Sequence, residues 1–117
     1  NGMLFYCGRN DNQIKLHGYR IELNEIDSTI STFNEVENVL TLPLIRNNEV
    51  KKLISFIICK TQLNETELKN QLVQFLEKQL PYYMMPADYI VVKEFPYNAN
   101  HKIDKNKLLN LYLKNNS

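Results

Sequence analysis

Short apolar runs separated by polar turns predict small strands at the start of the chain. Residues 4–7 and 13–16 are strand-like, and the polar residues 10–12 between them have the composition of a turn. Gly18 interrupts the pattern again, at a position that suits a positive φ or a close approach by another group. The opening segment therefore predicts a short β-hairpin followed by a second glycine turn.

Apolar residues at helical spacing predict three helices further along the chain. The first follows Leu23, with Asn24 as its N-cap and Asp27 three residues later. The second begins at the N-cap Asn64, and the third begins at Asp104. Their apolar faces are Ile26, Ile30 and Phe33 in the first helix, Leu68, Leu72, Phe75, Leu76 and Leu80 in the second, and Leu108, Leu109, Tyr112 and Leu113 in the third.

Apolar and partly β-branched runs at residues 36–45 and 53–59 predict two antiparallel strands around the polar residues 46–49. Residues 89–92 are predicted to form a further short strand, and Pro81 is predicted to end the second helix before it. The order of elements predicts an α+β fold. We expect a small, antiparallel-rich sheet flanked by about three helices and preceded by a short β-hairpin.

Composition limits the function that such a fold could carry. At 117 residues the chain forms one modest domain, with room for a core but not for a deep substrate cavity as well. A net charge of +1 argues against a nucleic-acid-binding surface. No apolar run approaches the ~20 residues that cross a bilayer, so we expect no membrane insertion. The start at Asn1, without a methionine, suggests a fragment of something longer.

The two cysteines, Cys7 and Cys59, both lie in strand-like apolar runs. Neither belongs to a Cys-x-x-Cys pair or a Cys/His cluster, which predicts buried reduced thiols and no metal site. This cysteine usage favours a cytoplasmic protein.

The segment from Gly8 to Ile26 is unusually rich in charged residues and glycine turns. It has the sequence GRNDNQIKLHGYRIELNEI. On composition alone it could be a generic hairpin with solvated charges. Its pattern nevertheless resembles the hinge motif of the adenylate-forming enzymes, a superfamily that includes acyl-CoA synthetases, luciferases, peptide-synthetase adenylation domains and D-alanine–carrier-protein ligases. Within that superfamily the segment is most similar to the amino-acid-activating branch.

Two later segments extend the resemblance to the C-terminal subdomain of these enzymes. Residues 80–86, LPYYMMP, resemble the family pattern LPxYMxP, and residues 95–105, FPYNANHKIDK, resemble its terminal PxxxNGKIDR motif. His101 replaces the usual glycine and Lys105 the usual arginine. If the backbone at His101 is left-handed, histidine accepts it at some strain. The tyrosines of this region, Tyr82, Tyr83 and Tyr89, are expected to be packing residues.

The resemblance implies roles for three residues in or near the nucleotide site. Lys102 matches the catalytic lysine, whose charge would stabilise the transition state between the attacking carboxylate and the α-phosphate. Arg9 matches the arginine that contacts the nucleotide, and Asp11 matches the hinge about which the subdomain rotates. On spacing alone, a lysine near a helix start is most often a solvated surface charge, and Arg9 and Asp11 could form a local salt bridge.

A second group of residues matches the loop that faces the active site during thioester formation. The resemblance implies that Gly18 lets a phosphopantetheine arm pass its backbone, with Lys15, Tyr19 and Arg20 as flanking contacts to nucleotide, carrier protein or partner domain. It divides the chain into residues 1–12, the end of an N-terminal domain with the hinge, and residues 13–117, the mobile C-terminal subdomain.

The resemblance therefore implies the lid of an ATP-dependent, AMP-forming ligase. Such a ligase uses ATP and Mg²⁺, held mainly by the N-terminal adenylation domain, and transfers an amino acid to the phosphopantetheine of an acyl or peptidyl carrier protein. We expect D-alanine as the amino acid, with a peptide-synthetase adenylation domain as the alternative. A non-catalytic carrier-docking module is a second alternative. The isolated chain is expected to be inactive.

Overall fold

The computed structural model describes residues 13–16, 18–47, 49–60 and 64–115. Its strands are β1 (Gln13–Leu16), β2 (Tyr19–Glu22), β3 (Val36–Arg46), β4 (Glu49–Cys59) and β5 (Asp88–Val91), and its helices are α1 (Leu23–Ser31), α2 (Glu65–Glu77) and α3 (Lys105–Asn115). A 3₁₀ turn at Tyr82–Met84 precedes β5. The predictions for the strand at residues 4–7, for Cys7, for Arg9 and for Asp11 lie outside the described residues.

The main sheet has three strands in the order β3-β4-β5. β3 and β4 form the predicted antiparallel hairpin, although β4 begins at Glu49 rather than at residue 53. β5 pairs in parallel with the other edge of β4. The predicted α+β class, with a small sheet, three helices and a preceding hairpin, is confirmed.

The hairpin that precedes the sheet turns at Gly18. β1 pairs antiparallel with β2, a segment to which the sequence pattern assigned no strand. Ile21 in β2 lies opposite Ile14 and is fully buried, and Leu16 is also buried. Gly18 has a φ of 84°, which explains why a glycine occupies the turn.

The prediction of Asn24 as the N-cap of the first helix is wrong, because the N-cap is Glu22, two residues earlier. Helix α1 begins at Leu23 because this places Leu23 on the same buried face as Ile26 and Ile30. Asp27 lies within the helix, and its carboxylate accepts a hydrogen bond from the Thr41 backbone N–H at 2.8 Å. Burial raises the pKa of Asp27 to about 6, against the opposing hydrogen bonds from Thr41.

The other two helices have the predicted caps. Asn64 Oδ1 accepts from the N–H groups of Thr66 and Glu67 at 2.8 and 3.3 Å. Asp104 Oδ1 accepts from the Lys107 N–H at 3.0 Å, which caps α3 in the same way. Helix α2 ends at Glu77, ahead of Pro81.

The core lies on both faces of the main sheet. Alternate residues of β4 point to opposite faces, which explains the continuous apolar run in its sequence. Helices α1 and α2 and the β1–β2 hairpin cover one face, with Leu16, Ile21, Ile26, Leu53, Ile57 and Leu72 among the buried residues. Helix α3 covers the other, with Ile54, Phe56, Phe95, Leu108, Leu109 and Tyr112. No helix in the described part of the chain is long and apolar enough to cross a membrane.

Candidate functional site

Lys102 lies in a tight loop between β5 and α3. Tyr97 and Ile103 form an isolated antiparallel bridge across this loop. The Asn98 N–H donates to the Lys102 carbonyl at 2.8 Å, and the Asp104 N–H donates to the Pro96 carbonyl at 2.8 Å. The Lys102 side chain itself is exposed. The loop is therefore closed by its own backbone and presents a lysine to solvent.

The turn of this loop passes through His101, which has a φ of 63°. The backbone at this position is left-handed, so the condition under which histidine is strained applies here. The His101 N–H donates to the Asn98 carbonyl at 3.0 Å. A left-handed conformation costs a residue with a Cβ about 1–2 kcal/mol, so the rest of the loop has to hold it in place.

The side chain of Asn98 fills the inside of the same turn. Its Oδ1 atom accepts from the backbone N–H of Asn100 at 2.8 Å and from the backbone N–H of Lys102 at 3.2 Å. One amide oxygen thus binds the residues on both sides of His101. This arrangement is an Asx turn, in which a side chain replaces a backbone acceptor.

The Gly18 turn lies at the end of the β1–β2 hairpin, on the opposite face of the sheet from α3. Apart from its two chain neighbours, none of the described residues has an atom within 4 Å of a Cβ added at Gly18, so among these residues the space beside the glycine is open. Lys15 and Arg20 are directly opposite one another in the hairpin, and both are exposed. Like charges in this position destabilise a strand pair, and they create a positive surface beside the glycine.

Three tyrosines attach this hairpin to the body of the domain. The Tyr19 ring stacks on Tyr83 with centroids 4.1 Å apart and planes within 6°. The hydroxyls of Tyr19 and Tyr82 share a hydrogen bond of 2.8 Å, although 63 residues separate them in sequence. The Tyr82 and Tyr83 rings meet edge to face. We refer to Tyr19, Tyr82 and Tyr83 as the tyrosine cluster.

The expectation that the later tyrosines are packing residues holds in part. Tyr89 is buried and Tyr83 is half-buried, but Tyr82 is 77% exposed, so the expectation is wrong for Tyr82. Tyr82 is held at the surface by its hydroxyl and edge contacts rather than by core packing. Burial raises the pKa of the Tyr89 phenol.

A network of polar contacts joins helix α3, which follows the lysine loop, to the sheet. Asp88 in β5 accepts from the Tyr112 hydroxyl at 2.5 Å and pairs with Lys52 at 3.0 Å. Burial alone would raise the pKa of Asp88, but the hydrogen bonds from Tyr112 and Lys52 hold it below its ordinary value. Lys52 also lies over the Tyr112 ring, 5.0 Å from its centroid. The network connects β4, β5 and α3.

The structure separates the predicted site residues into two places. Lys15, Gly18, Tyr19 and Arg20 lie together on the hairpin, and Lys102 lies apart on the α3 side of the sheet. Asn98 does not stand out in the sequence, although two asparagines before a His-Lys pair suit an Asx turn. No local signal connects Tyr19 with Tyr82 and Tyr83. Among the described residues no group of three or more His, Cys, Asp and Glu could hold a metal ion.

Curated relatives match almost the whole chain. It is 41% identical over 110 residues to D-alanine–D-alanyl carrier protein ligase of Bacillus licheniformis, which covers 92% of this chain and 22% of that protein. It is 32% identical over 111 residues to bacitracin synthase 1 of Bacillus licheniformis, covering 95% of this chain and 2% of that protein. The chain therefore spans less than a quarter of the length of these relatives.

Solved structures with the same fold include a CoA ligase and an acyl-CoA synthetase. An anthranilate CoA ligase in complex with anthranoyl-AMP has a TM-score of 0.72 at 25% identity, covering 89% of this chain and 20% of that one. The acyl-CoA synthetase of Brucella canis has a TM-score of 0.75 at 22% identity, covering 94% and 20%, and shows the fold alone. Residues 25–102, from helix α1 to the lysine loop, match the AMP-binding enzyme C-terminal domain. This match covers most of the chain, and the chain therefore belongs to the AMP-binding enzyme C-terminal domain family of the adenylate-forming enzymes.

Proposed function

We propose that this chain is the mobile C-terminal lid of an ATP-dependent ligase that adenylates an amino acid and transfers it to a carrier protein. The proposal rests on the placement of two loops. The β1–β2 hairpin that turns at Gly18 packs through Leu16 and Ile21 into the core on one face of the sheet, whereas Ile103, next to Lys102, packs into the core on the other face. A single active site in a partner domain cannot face both loops at once. A lid that serves two reactions in turn would have to rotate between them.

In the first reaction Lys102 would act on the transition state. A carboxylate oxygen of the amino acid forms a bond to the α-phosphorus of ATP, and the bond to the leaving pyrophosphate breaks. Negative charge gathers where the two anions meet, and a lysine ammonium placed there lowers the barrier. The exposed position of Lys102 at the tip of a closed loop suits a side chain that enters a site in another domain.

In the second reaction the Gly18 turn would face the same site. The thiol of the phosphopantetheine arm attacks the acyl carbon, AMP leaves, and the thiol proton passes to solvent. The open space beside Gly18 leaves room for an extended arm. Lys15 and Arg20, side by side and exposed, offer positive charge to the phosphodiester of that arm or to the departing nucleotide.

The remaining parts of the enzyme belong to a larger partner domain. We place residues 1–12 at the end of that N-terminal adenylation domain, with Arg9 on the nucleotide and Asp11 as the hinge, and residues 13–117 in the lid. ATP and Mg²⁺ would be bound mainly by the partner domain. We propose a cytoplasmic location, which the lack of cysteine pairing motifs in the sequence favours.

D-alanine is the amino acid that we propose. The support is the 41% identity to the D-alanine–D-alanyl carrier protein ligase of Bacillus licheniformis, against 32% to bacitracin synthase 1. A peptide-synthetase adenylation domain that activates another amino acid is the alternative, because residues that select the substrate lie in the partner domain.

Pyrophosphate exchange with a panel of amino acids tests the proposed function. The full-length ligase, meaning this chain joined to its adenylation domain, should exchange pyrophosphate with D-alanine, whereas the isolated chain should not. Exchange with a different amino acid would favour the peptide-synthetase alternative. If Lys102→Ala leaves exchange unchanged while carrier binding is intact, the chain is a docking module without a catalytic role.

A further inference from the structure

We propose that Asn98 is a positioning residue for Lys102, an inference that rests on the proposed function. Its Oδ1 atom accepts from the Lys102 backbone N–H at 3.2 Å and from the Asn100 backbone N–H at 2.8 Å. The backbone N–H of Asn98 donates to the Lys102 carbonyl at 2.8 Å. Asn98 therefore holds Lys102 by its N–H and its carbonyl at the same time.

The backbone of His101 makes this contact necessary. A φ of 63° is strained for a residue with a Cβ, and a free loop would relax toward a negative φ. Such a relaxation would rotate the peptide between His101 and Lys102 and turn the Lys102 N–H away from Asn98. The Oδ1 acceptor thus favours the one loop geometry in which the lysine stem leaves the tip at a fixed angle.

The effect on chemistry follows from how lysine acts. Its charge stabilises a transition state only when the ammonium reaches the developing negative charge, and a misplacement of about 1 Å can cost 10²-fold in rate. The loop of Asn98→Ala keeps its backbone bonds, so we expect a smaller loss of about tenfold in kcat for pyrophosphate exchange. The KM for ATP should change less than about twofold, because Lys102 acts mainly in the transition state.

The experiment compares three variants of the full-length ligase in both half-reactions. Asn98→Ala removes the acceptor, and Asn98→Ser restores a weaker one, because serine hydroxyls form the same turn less strongly. Asn64→Ala is the matched control, since Asn64 also accepts from two backbone N–H groups, at the start of α2 and outside the lysine loop. Each variant is assayed for pyrophosphate exchange and for thioester transfer from supplied aminoacyl-adenylate.

We expect Asn98→Ala to lose exchange and keep transfer, Asn98→Ser to recover part of the exchange, and Asn64→Ala to lose neither. Wild-type exchange in Asn98→Ala, or an equal loss in both half-reactions, would overturn the positioning role. So would a serine variant that is no better than alanine. Lys102→Ala is measured in the same assays. If Lys102→Ala keeps full exchange, the proposed function fails. If Lys102→Ala loses exchange while Asn98→Ala keeps it, only the role of Asn98 is rejected.

Discussion

The two loops of this domain are both built around a left-handed residue, but they are stabilised in different ways. The Gly18 turn, with a φ of 84°, is held from outside by Tyr83, which stacks on Tyr19, and by Tyr82, which meets Tyr19 edge to face. The turn at His101, with a φ of 63°, is held from inside by the Asn98 side chain and its own backbone bonds.

This difference predicts where each loop is vulnerable. The geometry of the hairpin depends on Tyr82 and Tyr83, which lie 63 residues or more away from Tyr19, so distant substitutions can move it. The backbone bonds that close the lysine loop lie within residues 96–104, and Ile103 anchors it to the core beneath α3. If the lid rotates so that each loop in turn faces the active site, the lysine loop would keep its geometry in both orientations.

The largest effect is expected when the open space beside Gly18 is filled. Gly18→Asn keeps the left-handed backbone, which asparagine tolerates, and its Cβ meets no atom within 4 Å in the part of the chain that the structure describes, chain neighbours aside. The free energy of unfolding should therefore change by less than about 1 kcal/mol. Thioester transfer should fall about a hundredfold, because the side chain blocks the arm. Full transfer in a folded Gly18→Asn ligase would show that the open space is not used.

Loss of the ring stack should have the next largest effect. Tyr83→Ala removes the ring on which Tyr19 stacks and leaves a half-buried gap, so the free energy of unfolding should fall by about 2 kcal/mol. Hydrogen exchange should speed up at the β1 and β2 amides more than at residues 96–104. Tyr82→Phe is the matched variant, since it removes only the shared hydroxyl bond, at a cost of about 0.5–1 kcal/mol. Equal acceleration in both loops after Tyr83→Ala would mean that the stack does not hold the hairpin specifically.

Asp27 offers a smaller and pH-dependent effect. Its pKa is about 6 in the folded chain, against an ordinary value of 3.8, so the folded state binds the proton more tightly than the unfolded chain does. The free energy of unfolding therefore falls as pH rises between these two values, by at most about 3 kcal/mol. Asp27→Asn removes the buried charge and should gain about 1–2 kcal/mol at pH 7, with the gain vanishing near pH 4. Unfolding curves at several pH values test this, and a gain that does not depend on pH would contradict it.

The smallest effect is expected at His101. His101→Gly relieves about 1 kcal/mol of strain at a φ of 63°, but glycine loses a similar amount through the entropy of the unfolded chain. The free energy of unfolding should change by less than about 0.5 kcal/mol, and pyrophosphate exchange by less than about twofold. A tenfold loss of exchange would show that the imidazole takes part in the chemistry.

Local sequence signals predicted the elements that local contacts define. The caps at Asn64 and Asp104 and the turn of the β3–β4 hairpin all depend on residues within a few positions of each other. The start of α1 and the strand Tyr19–Glu22 were missed because buried packing of Leu23 and Ile21 outweighed the capping pattern. The tyrosine cluster was missed because no periodicity connects residues that meet only through the fold.

The proposed assignment of one half-reaction to each loop is tested most directly by following both half-reactions in the Lys102→Ala ligase. Formation of aminoacyl-adenylate and transfer from supplied aminoacyl-adenylate are measured on the same preparation. We expect adenylate formation to be lost, because the transition-state charge is no longer stabilised, and transfer to stay within about twofold of the unmodified enzyme. An equal loss of both half-reactions, or of neither, would contradict the assignment of Lys102 to one face and one step.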